Sequence, residues 1–230
     1  MNPVAPPQSV GERVAAEIRK MIFDGLLRRG ERIRRDEIAE RLGISPVPVR
    51  EAIIALDREG WVTIEPHKGA YVLGIDVEYI RDHYELVADI WALVAEHAAE
   101  HSTPDQLRCL AQLSDAIRHA GSDAELAGAN IQFMRELLAI GGSPSVASVL
   151  DLMTGIIPGC IFSDVADPSP CLPLIDRVMK GLEARRPDDA AEAITELIRS
   201  FETDVLEVVS RRGAGEPVAL PATTAGATAT

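Results

Sequence analysis

The chain has 230 residues, 47% of them hydrophobic and 26% charged, which is the composition of a globular protein and excludes disorder throughout. No run approaches the roughly 18 to 20 apolar residues that span a bilayer, and the start MNPVAPPQSVGER lacks the basic and apolar regions of a secretory signal, so a cytoplasmic protein with no membrane partner is expected. Cys109, Cys160 and Cys171 are scattered without a C-x-x-C pair and suggest neither a disulfide framework nor a cysteine zinc site. A net charge of −13 argues against nucleic acid as a partner, but residues 1–75 hold 12 basic and 11 acidic residues, leaving 11 basic and 25 acidic in the remainder. That asymmetry predicts two units with different partners.

In the N-terminal third, Ser9 and Glu12 have capping-box spacing, and Val10, Val14, Ile18 and Ile22 recur at helical intervals up to a stop at Gly25. Arg35 to Leu42 reads as a second helix stopped by Gly43. Ser45 is then an N-cap and Pro46 a first helical residue, followed by an inward stripe of Val49, Ile53 and Leu56 that ends at Gly60. Residues 61–64 and 70–73 read as two short strands around the basic tip Pro66-His67-Lys68-Gly69. Three helices and a hairpin in this order predict a winged helix-turn-helix over residues 9–75, preceded by a flexible segment at 1–8.

The run Ile18-Arg19, Gly25-Leu26-Leu27, Gly30-Glu31, Ile38-Ala39, Leu42-Gly43-Ile44-Ser45, Pro48-Val49-Arg50-Glu51-Ala52, Leu56, Glu59-Gly60 and Gly69 resembles the DNA-binding domain of GntR-family bacterial transcription regulators, over about residues 10–73. In helix-turn-helix geometry the start of the last helix enters the major groove while the wing and preceding helix meet backbone and minor groove. Ser45, Pro46, Val47 and Arg50 are the candidate groove residues, Arg34 and Arg35 candidate phosphate clamps, and His67, Lys68 and Gly69 candidate wing contacts. Many relatives carry arginine where this chain has Pro46, so the family's operator preference does not transfer.

From Val77 onward the pattern is helical only. Starts at Ser102-Thr103-Pro104, Ser122, Ser143-Pro144 and Pro187-Asp188 and stops at Gly121 and Gly141-Gly142 predict helices over 77–101, 104–120, 123–140, 144–162, 171–186 and 188–211. Asp164 to Pro170 reads as a loop, and residues 213–230, rich in Gly, Ala and Thr, read as a disordered tail. The fold class expected is mostly α: a winged helix-turn-helix followed by an all-α antiparallel helical bundle over 76–212.

This bundle resembles the FCD effector-binding and dimerisation domain of the FadR-like subfamily, through His83-Tyr84-Glu85-Leu86, Phe133 near Gly141-Gly142-Ser143-Pro144, and Ala190-Ala191…Ala193-Ile194. Many such domains hold a divalent metal on an Asp and three His, which in turn holds a carboxylate effector. The corresponding residues here are Asn130, Met134, Ile175 and Leu197, Val87 replaces a usual Arg and Trp91 a usual Glu, so no metal or other cofactor is expected. Two readings stay open. Either these side chains simply fill the bundle, or Trp91, Asn130, Phe133, Met134, Met153, Ile157, Ile175, Met179 and Leu197 line a pocket for an apolar effector such as a fatty acid or acyl thioester.

His97-Ala98-Ala99-Glu100-His101 matches the H-x-x-E-H pattern of inverted zinc peptidases, so a zinc hydrolase is the alternative from another class. Its place at the polar end of a helix, just before Ser102-Thr103-Pro104, favours an exposed surface. No catalysis is expected. The functional expectation is a homodimeric, ligand-responsive regulator, a repressor, bound to a palindromic double-stranded operator; a regulator-derived interaction protein that senses nothing is the remaining alternative.

Overall fold

The Ser9 hydroxyl accepts the Glu12 N–H at 3.1 Å while the Glu12 carboxylate accepts the Ser9 N–H at 2.6 Å, and this reciprocal cap starts α1 (Val10–Phe23). The computed structural model describes residues 9–156 and 171–211. Val14, Ile18, Met21 and Ile22 give α1 its buried face. The helix ends at Phe23 with Asp24 as its C-cap, and Gly25, expected as the stop, takes φ +72° in the turn that follows. Next comes β1 (Arg32–Ile33), a strand that the sequence reading did not expect: two residues are too few to display alternation.

Helix α2 (Arg35–Leu42) stops at Gly43, φ +66°, and α3 (Pro46–Arg58) begins with Pro46, where the missing N–H costs nothing. Strands β2 (Val62–Glu65) and β3 (Gly69–Val72) pair antiparallel with Val62 opposite Val72 and Ile64 opposite Ala70; β1 lies on the other side of β3, with Arg32 opposite Tyr71. The strands are displaced by one residue from the expected 61–64 and 70–73. Trp61 is taken out of the ladder because its N–H closes α3 on the Leu56 carbonyl and its own carbonyl accepts the N–H groups of Leu73 and Gly74.

The remaining described elements are all helices: α4 (Val77–His101), α5 (Pro104–Arg118), α6 (Asp123–Gly141), α7 (Pro144–Ile156), α8 (Cys171–Glu183) and α9 (Pro187–Arg211). Asp76 caps α4 by accepting the Tyr79 N–H at 2.9 Å, and Thr103 with Gln106 forms a second capping box at α5. Helix α4 packs against α6, α7, α8 and α9 and buries Ile80, Val87, Trp91, Val94 and Ala98. It is the axis of the bundle. At its far end α6 comes so near that a Cβ on Gly141 would lie 1.9 Å from the Val94 carbonyl oxygen.

Helix α8 stops at Glu183, short of the expected 186, because Arg185 takes a left-handed φ of +55° and Pro187 begins α9 one residue earlier than expected. That conformation sends the Arg185 guanidinium to the end of α4, where it donates to the Ala99 carbonyl at 2.9 Å, to the Ser102 hydroxyl at 3.0 Å and to the Ser102 carbonyl. Orphan carbonyls of a helix end are thereby satisfied by a side chain more than 80 positions away. Helix α5 ends at Arg118 and not at 120, with His119 as its cap. The expected continuation of the 144–162 helix beyond 156, the loop at 164–170, Ile157, Cys160 and the terminal segments 1–8 and 213–230 lie outside the described residues. Among the described residues no helix is long and apolar enough to cross a membrane.

Candidate nucleic-acid interface

Ile18, Ile22, Ile38, Val49, Ile53 and Leu56 are buried together and fix α3 against α1 and α2, which leaves the start of α3 facing solvent. Ser45, Pro46, Val47 and Arg50 are all exposed there, Val47 by 64%. Exposure of a single apolar side chain is ordinary in itself, and Leu26, Leu86 and Leu152 are exposed to a similar degree; what sets Val47 apart is its place beside Ser45 and Arg50 on the first turn of α3. Ser45 occupies the N-cap position in backbone conformation, yet its side chain makes no capping hydrogen bond. Its hydroxyl is therefore at liberty for an external acceptor. Arg50, one turn into the helix, forms no ion pair with any described residue and can present both edges of its fork.

Arg34 is the N-cap residue of α2 and Arg35 its first helical residue; both are exposed. Arg34 is already engaged, its Nη1 donating to Glu37 at 2.7 Å, and this bond with its charge holds the guanidinium pKa above the ordinary value. At the wing, His67 takes a left-handed φ of +64° and Lys68 pairs with Glu65 at 2.9 Å, which likewise raises the ammonium pKa. Exposed pairs of this kind hold weakly and exchange for another anion at little cost. Gly69 has φ +119°, and a Cβ there would stand 2.9 Å from Arg32 Nε. Arg32 thus lies across the base of the wing, an exposed cation that the sequence reading missed. Only the charge of Arg32 was legible in the sequence; its place across the wing follows from the pairing of β1 with β3, in which Arg32 stands opposite Tyr71.

The nominated bundle residues fall into three groups. Trp91, Phe133, Ile175, Met179 and Leu197 are buried in one continuous apolar cluster, and Met134 and Met153 pack against it half-buried. Asn130 is half-buried, but its Oδ1 is enclosed and meets no hydrogen-bond donor among the described residues. Ile157 lies outside them. Among the described residues no group of three His, Cys, Asp or Glu could hold a metal ion. A buried titratable group, His83, was absent from the nominated set: it stands edge-on to Tyr84 with ring centroids 5.4 Å apart, and burial lowers its pKa from 6.5 to about 4.

His83 gives the first prediction. A histidine kept neutral in the folded state contributes stability above pH 6.5, where both states are neutral, and this contribution is lost as pH falls from 6.5 through about 4, because the unfolded chain takes the proton first. The full loss approaches ~3 kcal/mol. Urea unfolding of the parent and of His83→Leu at pH 7 and pH 4 should show a smaller acid penalty in the variant. Equal penalties would contradict the buried neutral imidazole.

The histidine pair of the H-x-x-E-H pattern is spent on backbone. His97 Nδ1 donates to the Gly141 carbonyl at 3.2 Å, and exposed His101 has its Nδ1 3.0 Å from the His97 carbonyl. The rings meet edge-to-face with centroids 6.3 Å apart.

The family of bacterial regulatory proteins termed gntR matches residues 10–72, and the FCD domain matches residues 82–200, more than half of the chain. An HTH-type transcriptional regulator of Mycobacterium tuberculosis is 27% identical over 183 residues, covering 79% of this chain and 75% of the relative. The HTH-type transcriptional repressor RspR of Escherichia coli is 32% identical over 107 residues, 46% of this chain and 47% of its own. Among solved structures, E. coli McbR/YncC has a TM-score of 0.59 at 18% identity, covering 87% of this chain and 98% of that one. A GntR-family regulator from Pseudomonas syringae pv. tomato has a TM-score of 0.55 at 20% identity, covering 91% and 90%, and both likenesses are of fold. The H-x-x-E-H hydrolase alternative is thereby set aside: the chain belongs to the GntR family of bacterial regulatory proteins, a DNA-binding transcriptional regulator, not an enzyme, whose helical part is an FCD domain.

Proposed function

We propose that the protein is a homodimeric repressor that reads a palindromic operator with the start of α3 and releases it when an apolar effector enters the α4–α9 bundle. The observation carrying the DNA part is the unpaired Arg50 beside exposed Val47 and the uncapped Ser45 hydroxyl, together with the exposed cations Arg32, Arg34, Arg35 and Lys68 and the wing residue His67. In this reading Arg50 takes a guanine edge or a phosphate, Val47 meets a thymine methyl, and Pro46 offers no hydrogen bond. One such surface covers only a few base pairs, and two related by a two-fold axis give useful specificity. The sign of regulation follows the name of the E. coli relative RspR and is part of this proposal.

The effector reading rests on the chemistry of the bundle interior. Trp91, Phe133, Met134, Ile175, Met179 and Leu197 offer apolar surface and no hard-metal ligand, while the enclosed Asn130 Oδ1 lacks the donor that a buried carbonyl ordinarily finds. A ligand burying methylenes gains about 0.8 kcal/mol for each, so an acyl chain is favoured over a small dianion. The test is thermal stabilisation across a series of acids and acyl thioesters of increasing chain length. Stabilisation rising with length, with parallel loss of affinity for a duplex selected from a random library, supports the proposal; a response to citrate with a divalent metal alone sinks it. Light scattering should give a dimer at micromolar concentration, and Lys68→Ala should weaken all duplexes alike and lower the salt slope by at most about one.

A further inference from the structure

One residue, Glu59, ties three helices together where the DNA-reading part meets the bundle. It is the C-cap of α3. Its carboxylate is gripped by Arg19 of α1, with Nε and Nη2 each donating at 2.8 Å, and only 11% of the Arg19 and 13% of the Glu59 side chain is exposed. Its carbonyl oxygen, an orphan of the helix end, accepts the Tyr79 hydroxyl of α4 at 2.9 Å. Burial together with the Glu59 charge raises the Tyr79 pKa to about 12, so the phenol stays a donor at any physiological pH. The edge of the same ring lies against Gly60, whose φ of +79° and missing side chain bring the backbone in; a Cβ there would be 3.6 Å from the ring.

The surrounding backbone has no slack. Only Leu73 to Asp76 separate β3 from α4, the first two of them bonded to the Trp61 carbonyl, and Asp76 caps α4 while its other oxygen faces Arg29 at 3.8 Å. Ile75 and Ile80 are buried in a cluster that runs without interruption from the winged helix into the bundle. Motion of the first turn of α4 must therefore be taken up by α3 and α1 and not by a flexible linker.

We infer that the Tyr79 hydroxyl, the Glu59 carbonyl and the Arg19–Glu59 pair form the joint that transmits rearrangement of the bundle to the DNA-reading helix. The lever arms are comparable: Trp91 stands about 18 Å along α4 from Tyr79, and Pro46 about 20 Å along α3 from Glu59. A tilt of about 5° at the joint displaces the start of α3 by about 2 Å, enough to break a base-edge hydrogen bond. Tyr79 and Arg19 are positioning residues in this device and touch no ligand themselves.

Energetic coupling between two sites is reciprocal, so DNA bound at α3 must be felt at Trp91. The chain has two tryptophans, Trp61 and Trp91, and 5-fluorotryptophan labelling of the full-length protein gives each its own fluorine resonance. On titration with a selected duplex, whose binding is followed separately by anisotropy, the Trp91 resonance of the parent should shift in step with saturation. In Tyr79→Phe, which removes one oxygen and keeps the ring on Gly60, the duplex should still bind with nearly the parent's affinity while the Trp91 shift is lost. Arg19→Lys, which keeps the charge and loses the paired grip on Glu59, should give a reduced shift. A Trp91 shift that persists undiminished in Tyr79→Phe, or a parent whose Trp91 resonance ignores saturating DNA, would overturn the inference.

Discussion

Arg50→Ala should reduce operator affinity by about 1–3 kcal/mol, roughly fivefold to more than a hundredfold, and should flatten discrimination at one base position. The expectation follows from its isolation. Arg34 and Lys68 hold carboxylates of their own, whereas Arg50 meets no anion among the described residues and surrenders nothing on binding. Val47 and Pro46 add no donor, so no neighbour on the same turn can replace the lost fork. Fluorescence anisotropy at two salt concentrations, with the selected duplex and a scrambled one, separates the outcomes. Loss confined to the selected duplex assigns Arg50 to a base edge, equal loss on both assigns it to phosphate, and no loss removes it from the interface.

Gly141→Ala should be among the most damaging single substitutions in the bundle. Alanine in place of a helical glycine ordinarily gains about 1 kcal/mol. Here the new Cβ would lie 1.9 Å from the Val94 carbonyl oxygen, 2.9 Å from its carbon and 3.0 Å from the Ala98 nitrogen, all backbone atoms of α4 that no rotamer change can clear. The helices must separate, opening the layer where Val94, Ala98, Phe133 and Leu137 are fully buried, and the His97 to Gly141 hydrogen bond goes with them. A net cost of several kcal/mol is expected, the clash and lost packing exceeding the propensity gain. Thermal unfolding checks it: a variant as stable as the parent would mean that α4 and α6 do not approach so closely. Gly128→Ala in the same helix, where a Cβ meets nothing within 4 Å, is the control and should be neutral or stabilising.

What could be read from sequence was whatever depends on neighbours along the chain. The Ser9–Glu12 cap, Pro46 at the head of α3, the inward stripe of Val49, Ile53 and Leu56 and the start of α4 at Val77 are local in origin, and they lie where spacing put them. The short strand β1 escaped because its only support is pairing with β3, nearly forty residues on. Trp61 left the hairpin because a helix end and a junction competed for its backbone. Arg185, read as ordinary helix, bends instead into a left-handed conformation maintained by carbonyls of α4 that no local pattern announces. The exposed cations of the winged helix were legible as cations, but the i,i+3 spacing of Arg34 with Glu37 and of Glu65 with Lys68 also announced partners, which charge alone does not reveal.

Those two internal pairs bear on how the protein distributes itself along a genome. A cation that has to give up a carboxylate before it can take a phosphate gains less from each chance encounter with DNA, and the counterion released by the phosphate is partly recaptured by the freed acid. Adhesion to arbitrary sequence is penalised accordingly. If Arg50, Val47 and Ser45 make the base contacts proposed above, those contacts carry no such cost, and the ratio of operator binding to background binding widens. A winged helix with a net charge of only +1 over residues 1–75 is thus suited to short residence at the wrong address and rapid resumption of search.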